Sequence, residues 1–120
     1  MNDVTPFVQR TPAMKTVLRP GAVDGLRAEL DLLGAGRVLL VTSNSVRRSG
    51  LHERVSRQLH GLEVLDAPAV PAHSSVAFVE ALAARSAAHG TQCIVAVGGG
   101  SCSDTGKAVA LLMAEGGRLA

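Results

Sequence analysis

Three consecutive glycines, Gly98 to Gly100, are the residues of this chain best suited to hold a ligand. They separate a short apolar run, residues 92–97, from a stretch rich in alanine and leucine. Without Cβ atoms, a backbone can turn tightly and bring its N–H groups close to a phosphate. The unpaired N–H groups of a helix start attract negative charge as well. The spacing therefore predicts an anion-binding loop, since a tight turn alone needs fewer glycines.

Two well-known phosphate-binding loops do not fit these residues. The phosphate loop of P-loop NTPases would need a glycine at position 101, which is Ser101 here. It would also need a Ser or Thr to ligate magnesium at position 108, which is Ala108 here. The dinucleotide fingerprint G-x-G-x-x-G would need glycine at Ser103. The loop is therefore neither a P-loop nor a standard Rossmann fingerprint.

The segment GGGSCSDTGKAVAL, residues 98–111, resembles the GGGS-x-x-D-x-x-K motif of iron-containing alcohol dehydrogenases and the related maleylacetate reductases. The resemblance extends back through LGAGRVLLVT, residues 33–42, and through Pro20-Gly21-Ala22, which is similar to the family's G-x-G-A turn. It spans about residues 14–114. It implies an N-terminal domain that binds NAD or NADP in an enzyme that moves hydride between the nicotinamide and an alcohol or carbonyl substrate.

The same resemblance implies roles for individual residues. The glycines and the following serine would cradle the pyrophosphate, and the acid and lysine of the motif would lie near the ribose and nicotinamide end of the cofactor. The cofactor-binding residues implied by the motif are Gly98, Gly99, Gly100, Ser101, Asp104 and Lys107. From spacing alone, Ser101 and Asp104 also resemble a helix capping box.

Ser43 departs from the pattern of many NAD-using members, which have an aspartate directly after the Val-Thr of the strand. A neutral residue there removes repulsion toward a 2′-phosphate, and Arg47 or Arg48 could pair with one. Either cofactor is allowed, with a slight preference for NADP. Ser43 and Asn44 join the cofactor-binding residues, although both residue types are also ordinary helix caps.

Alternating strands and helices must position these residues. Helical spacing of apolar residues and short β-branched runs indicate an α/β fold, a Rossmann-like parallel sheet with flanking helices. Parallel strands end at one edge, where Ser43, Asn44, His73 and the glycines should gather. The predicted elements are an edge strand at 14–19, a helix at 22–33, a strand at 37–42, one helix that follows a Ser43-Asn44-Ser45 cap and continues through 51–59 to Gly61, a strand at 62–65, a loop at 66–75, a helix at 75–88, a strand at 92–97 and a helix through 108–113.

Composition excludes several other classes of protein. The 120 residues are 47% hydrophobic and 18% charged, which is typical of one folded domain rather than a disordered chain. A net charge of +2 and two phenylalanines as the sole aromatic residues do not indicate nucleic-acid binding. No apolar run reaches the roughly 20 residues of a membrane span. Cys93 and Cys102 are interpreted as free thiols in a cytoplasmic protein.

The predicted organisation is a polar extension at 1–13 and an incomplete NAD(P)-binding domain at 14–120. The resemblance implies a truncated chain that lacks the helical C-terminal domain, whose aspartate and histidines hold iron or zinc. No catalytic or metal-ligating residue is therefore assigned here, and the chain alone is expected to show nucleotide affinity at best. The full-length enzyme is expected to be a homodimer that acts on an alcohol, aldehyde or keto acid, without nucleic-acid or membrane partners.

Three alternatives remain open. The first is a maleylacetate reductase, because the loop around His73 lacks the asparagine-proline common in the family's alcohol dehydrogenases. The second is an enzyme like dehydroquinate synthase or glycerol dehydrogenase, which share the domain plan. The third is a nucleotide-binding module without chemistry.

Overall fold

A three-stranded parallel sheet organises the chain, of which the computed structural model describes residues 15–116. The strands are β1 (Arg37–Thr42), β2 (Glu63–Asp66) and β3 (Cys93–Val97), in the spatial order β2-β1-β3. The central strand β1 reads RVLLVT, and every residue after its arginine is buried. A continuous apolar run is what a parallel strand covered on both faces requires.

Helices connect the strands and cover both faces of the sheet. A short 3₁₀ helix precedes the first α-helix, and β3 runs directly into the last one. The elements are the 3₁₀ helix Ala22–Gly25, α1 (Leu26–Leu33), α2 (Asn44–Arg48), α3 (Leu51–Gln58), α4 (Val76–His89) and α5 (Gly100–Ala114). The predicted α/β class with a Rossmann-like parallel sheet is therefore confirmed.

Side chains of β1 alternate between two apolar cores, because successive residues of a strand point to opposite faces. On one face Leu39 and Val41 join buried residues of α4 and α5, including Leu82 and Leu112. On the other face Val38 and Leu40 join buried residues of α1 and α3, Leu30, Val55 and Leu59 among them. The sheet is thus held rigidly between two helical layers, and its carboxyl edge is a fixed platform for loops.

Two of the predicted elements differ from the structure. The edge strand at 14–19 is wrong for residues 15–19, which form no strand, while residue 14 lies outside the described part. Val17 is 42% and Leu18 95% exposed, so alternation here does not mark a buried strand face. Lys15 Nζ instead bonds Glu29 at 2.8 Å, which ties the segment to α1.

The helix between β1 and β2 is interrupted, whereas one helix following the Ser43-Asn44-Ser45 cap was predicted. Gly50 has φ +83°, a left-handed conformation that ends one helix and starts the next. Strand β2 lies one residue later than the predicted 62–65. The predicted extension at 1–13 lies outside the described residues.

Within residues 15–116, no helix has the length and apolar character needed to span a bilayer.

Candidate functional site

The ends of β1 and β3 and the loop that follows β2 meet around one open cavity of about 410 Å³. This cavity, the strand-end cavity, contains four of the residues predicted to bind the cofactor, together with an arginine and a proline-bearing loop. Its lining residues are Ser43, Asn44, Ser45, Arg48, Val70, Pro71, Ala72, Gly99 and Ser101. The predicted convergence of loops at this edge is therefore observed, although His73 is exposed and does not line the cavity.

Gly98 turns the chain from β3 toward α5 and cannot be replaced without strain. Its φ is +143°, a conformation that side chains of L-residues rarely adopt. A Cβ on Gly98 would lie 2.8 Å from Cys102 Sγ and 3.3 Å from Val46 Cγ2. The first glycine therefore allows the backbone to pass close to two side chains, and its role is to shape the loop.

Gly99 and Gly100 are not needed to avoid a steric clash, because a Cβ on either would meet no atom within 4 Å. Gly99 is the N-cap of α5 and Gly100 its first residue. No side chain of the described residues caps this helix, so the predicted capping box of Ser101 and Asp104 is wrong. Both lie inside the first turns of the helix, too late to act as its N-cap. The helix start therefore presents bare N–H groups beside the strand-end cavity, as an anion site requires.

Gly106 is a packing residue that the sequence interpretation missed. It is buried on α5, and a Cβ there would lie 3.3 Å from Ala96 Cβ and 3.5 Å from Ile94 Cγ2. The glycine thus allows α5 to approach β3 closely, which fixes the direction of the helix toward the loop. A helical glycine facing a strand is the signal that could have indicated this role.

Ser43 serves as the N-cap of α2 and also lines the strand-end cavity. Its Oγ accepts a hydrogen bond from Val46 N at 3.3 Å and lies 3.0 Å from Ser45 Oγ. Asn44, the first residue of α2, is exposed at the same cavity. The Ser43 side chain is therefore held in place by the start of α2.

The two adjacent arginines of α2, Arg47 and Arg48, have different surroundings. Arg47 donates from Nε to Thr42 Oγ1 at 3.1 Å and from Nη2 to Asp66 Oδ1 at 3.0 Å and Ala67 O at 2.8 Å. Arg48 is exposed and lines the cavity. Of the two arginines that the sequence left open as phosphate ligands, Arg48 is the one at the cavity.

Asp104 and Lys107 do not line the strand-end cavity. Lys107 lines a second cavity of about 500 Å³ along β3, together with Ser103, Gly106 and Cys93. Burial raises the pKa of the Cys93 thiol, so it stays protonated at neutral pH. Asp104 is exposed and lines neither cavity. The structure thus brings Ser43, Asn44, Gly99 and Ser101 together and leaves the acid and lysine of the motif outside that group.

The sequence predicts no metal-ligating residue in this chain. Among residues 15–116, no three His, Cys, Asp or Glu side chains are grouped so that they could hold a metal ion.

A family model described as iron-containing alcohol dehydrogenase matches residues 13–120. A 4-hydroxybutyrate dehydrogenase of Cupriavidus necator is 36% identical over 99 residues, which cover 82% of this chain and 26% of that protein. The chain therefore spans about a quarter of the length of this relative.

Solved structures have the same fold. The NADH-dependent butanol dehydrogenase A of Thermotoga maritima superposes with a TM-score of 0.76 at 27% identity, covering 88% of this chain and 27% of that one. A maleylacetate reductase of Agrobacterium tumefaciens gives a TM-score of 0.70 at 27% identity, covering 90% and 30%. Because the family model matches nearly the whole length of this chain, the chain belongs to the iron-containing alcohol dehydrogenase family.

Proposed function

We propose that this chain is the nicotinamide-dinucleotide-binding part of an oxidoreductase that interconverts an alcohol and a carbonyl compound. The observation that carries the proposal is the start of α5, where bare N–H groups face the strand-end cavity and the two glycines leave room for a ligand. Such a helix start favours a diphosphate, because its N–H groups donate and its dipole is positive.

Different residues of the site contact different parts of the cofactor. The N–H groups of Gly99, Gly100 and Ser101 donate to the pyrophosphate, and Gly98 gives the loop its shape. Ser43 and Asn44, which line the same cavity, contact the adenosine half. The proposed place of Asp104 and Lys107 near the ribose and nicotinamide end is supported by the motif alone.

The nicotinamide supplies the hydride acceptor or donor when it is bound, and this chain contributes binding and orientation. The family is described as iron-containing, and residues 15–116 contain no group of three His, Cys, Asp or Glu side chains that could hold a metal ion. A maleylacetate reductase remains the second candidate, because one such enzyme superposes well on this chain. The substrate class is accordingly an alcohol, an aldehyde or a keto acid.

Calorimetric titration of the purified protein with NADPH and with NADH tests this proposal. Saturable binding of at least one coenzyme, displaced by excess ADP-ribose, is the expected result. Absence of binding for both coenzymes at millimolar concentration would contradict it.

NADP is the preferred cofactor in this proposal. Ser43 is neutral, and Arg48 lines the same cavity from the same short helix. A guanidinium pairs well with a phosphate. One of the similar structures is instead named as an NADH-dependent butanol dehydrogenase. The coenzyme preference of this chain therefore has to be tested by substituting its own residues.

Ser43→Asp is expected to weaken NADPH binding about tenfold, because like charges at a partly exposed site repel by roughly 1–2 kcal/mol. NADH binding should change little. Titration of the variant with both coenzymes measures the difference, and Ser43→Asn is the matched control, since asparagine also caps a helix but adds no charge. Equal loss for NADPH and NADH in Ser43→Asp would discard the assignment.

Arg48→Met is expected to weaken NADPH binding about tenfold while NADH binding stays within twofold, because a charge-assisted contact to the 2′-phosphate contributes about 1.5 kcal/mol. Methionine keeps much of the apolar stem. Arg57→Met is a suitable control, since Arg57 pairs with Glu53 on the exposed side of α3. A variant that still prefers NADPH as strongly as the original protein would show that Arg48 does not bind the 2′-phosphate.

A further inference from the structure

Arg47 holds together three segments that surround the strand-end cavity. Its guanidinium donates to the side chain of Thr42, the last residue of β1, and to Asp66, the last residue of β2. A third bond reaches the main-chain oxygen of Ala67, where the next loop begins. Thr42 and Ala67 are both fully buried. Charge-assisted bonds to such partners define one position for the loop.

This loop, residues 67–75, forms a wall of the cavity and is fixed at few points. Ala67 N donates to Leu40 O at 3.0 Å, and Val70 N donates to Thr42 O at 2.8 Å. Near its far end, Ser74 Oγ lies 3.2 Å from the buried Thr105 Oγ1 of α5. Val70, Pro71 and Ala72 of this loop line the cavity together with Gly99 and Ser101.

Asp66 has a second partner that reinforces the arrangement. His52 Nε2 of α3 lies 3.0 Å from Asp66 Oδ2, and its ring is largely buried, with 21% of the side chain exposed. Arg47 and His52 therefore approach the same carboxylate from successive helices. Arg47, His52 and Asp66 do not line the strand-end cavity, so their effect on a ligand must pass through the loop.

We propose that Arg47, braced by Asp66, is a positioning residue that sets the 67–75 loop as the wall of the nucleotide pocket. This inference rests on the proposed function for its ligand. It separates the two arginines of α2: Arg48 contacts the cofactor, and Arg47 shapes the pocket for either coenzyme. Loss of Arg47 therefore lowers affinity for NADPH and NADH alike and leaves their ratio unchanged.

Arg47→Met is expected to weaken binding of both coenzymes about tenfold, because the 67–75 loop loses the bonds to Asp66 and Ala67 that define its position. Titrations are run well below the unfolding midpoint of the variant, so that a loss of stability alone leaves affinity unchanged. Arg47→Lys should recover part of the affinity, and Asp66→Asn should weaken binding less in the Arg47→Met background than alone. Arg57→Met serves as the control.

Hydrogen exchange provides a measurement that does not depend on any ligand. In Arg47→Met the amides of Ala67 and Val70 should exchange at least about tenfold faster, while those of β3 stay protected. Unchanged exchange in the loop together with unchanged affinity would overturn the positioning role. If the original protein binds neither coenzyme, the proposed function fails, and faster loop exchange in Arg47→Met would still support the structural part of this inference.

Discussion

Gly98→Ala is expected to lower the free energy of unfolding by about 3 kcal/mol, because it combines an unfavourable backbone conformation with overpacking. The φ of +143° is strained for alanine, and the new Cβ would lie 2.8 Å from Cys102 Sγ. Cys102 is fully buried and cannot move away easily. Urea denaturation followed by circular dichroism measures the loss as a shift in the midpoint.

Two comparisons separate the causes of this loss. Gly34→Ala changes another glycine with positive φ, +69°, where a Cβ meets no atom within 4 Å, and it should cost only about 1 kcal/mol. Combining Gly98→Ala with Cys102→Ala removes the sulfur that the Cβ would strike, so the double variant should be more stable than the two single losses predict. Equal losses in Gly98→Ala and Gly34→Ala would show that the contact with Cys102 contributes nothing.

Local signals in the sequence were sufficient for most of the fold. The run RVLLVT has the continuous apolar character of a strand buried on both faces, and β1 occupies those six residues. Helix α4 is bounded by Ser75, whose Oγ accepts from Phe78 N, and by Gly90 at φ +74°. Caps and periodicity act within a few residues of one another, so they can be recognised without knowing the tertiary structure.

Features that depend on contacts distant in sequence could not be predicted in this way. The residues at 15–19 alternate like a strand but have no strand partner among the described residues. The bonds of Arg47 to Asp66 and Ala67 join positions 19 and 20 residues apart, and no local pattern in α2 distinguishes Arg47 from Arg48. The sequence therefore indicated a basic helix beside the cofactor site but not which arginine faces the cavity.

The glycine run shows the same division between local and distant information. Its three residues look equivalent in the sequence, and all were assigned to the pyrophosphate. Their surroundings differ, because Gly98 is crowded by Cys102 and Val46 while Gly99 and Gly100 border open space. Gly98 thus affects stability, and its two neighbours are free to affect ligand binding. Substitution can therefore separate folding from function within a single loop.

Gly99→Val is expected to weaken binding of NADPH and NADH about 100-fold, while the free energy of unfolding falls by only about 1 kcal/mol, the cost of an apolar residue at an N-cap. The backbone at Gly99, φ −82° and ψ −163°, is extended and suits a β-branched residue. A Cβ at Gly99 meets no atom within 4 Å, so the side chain leaves the backbone into open space. It would occupy the strand-end cavity beside the N–H groups that are proposed to bind the pyrophosphate.

Titration with both coenzymes and a thermal melt measure the two quantities on the same sample. Gly99→Ala should lose less affinity, because a methyl group covers fewer of the N–H groups, and Ala114→Val provides a control on an exposed residue at the other end of α5. A large loss of binding with a small loss of stability is the result expected if the ligand needs the space that the valine fills. A Gly99→Val protein that binds both coenzymes normally would mean that the diphosphate lies elsewhere, and the start of α5 would no longer support the proposed function.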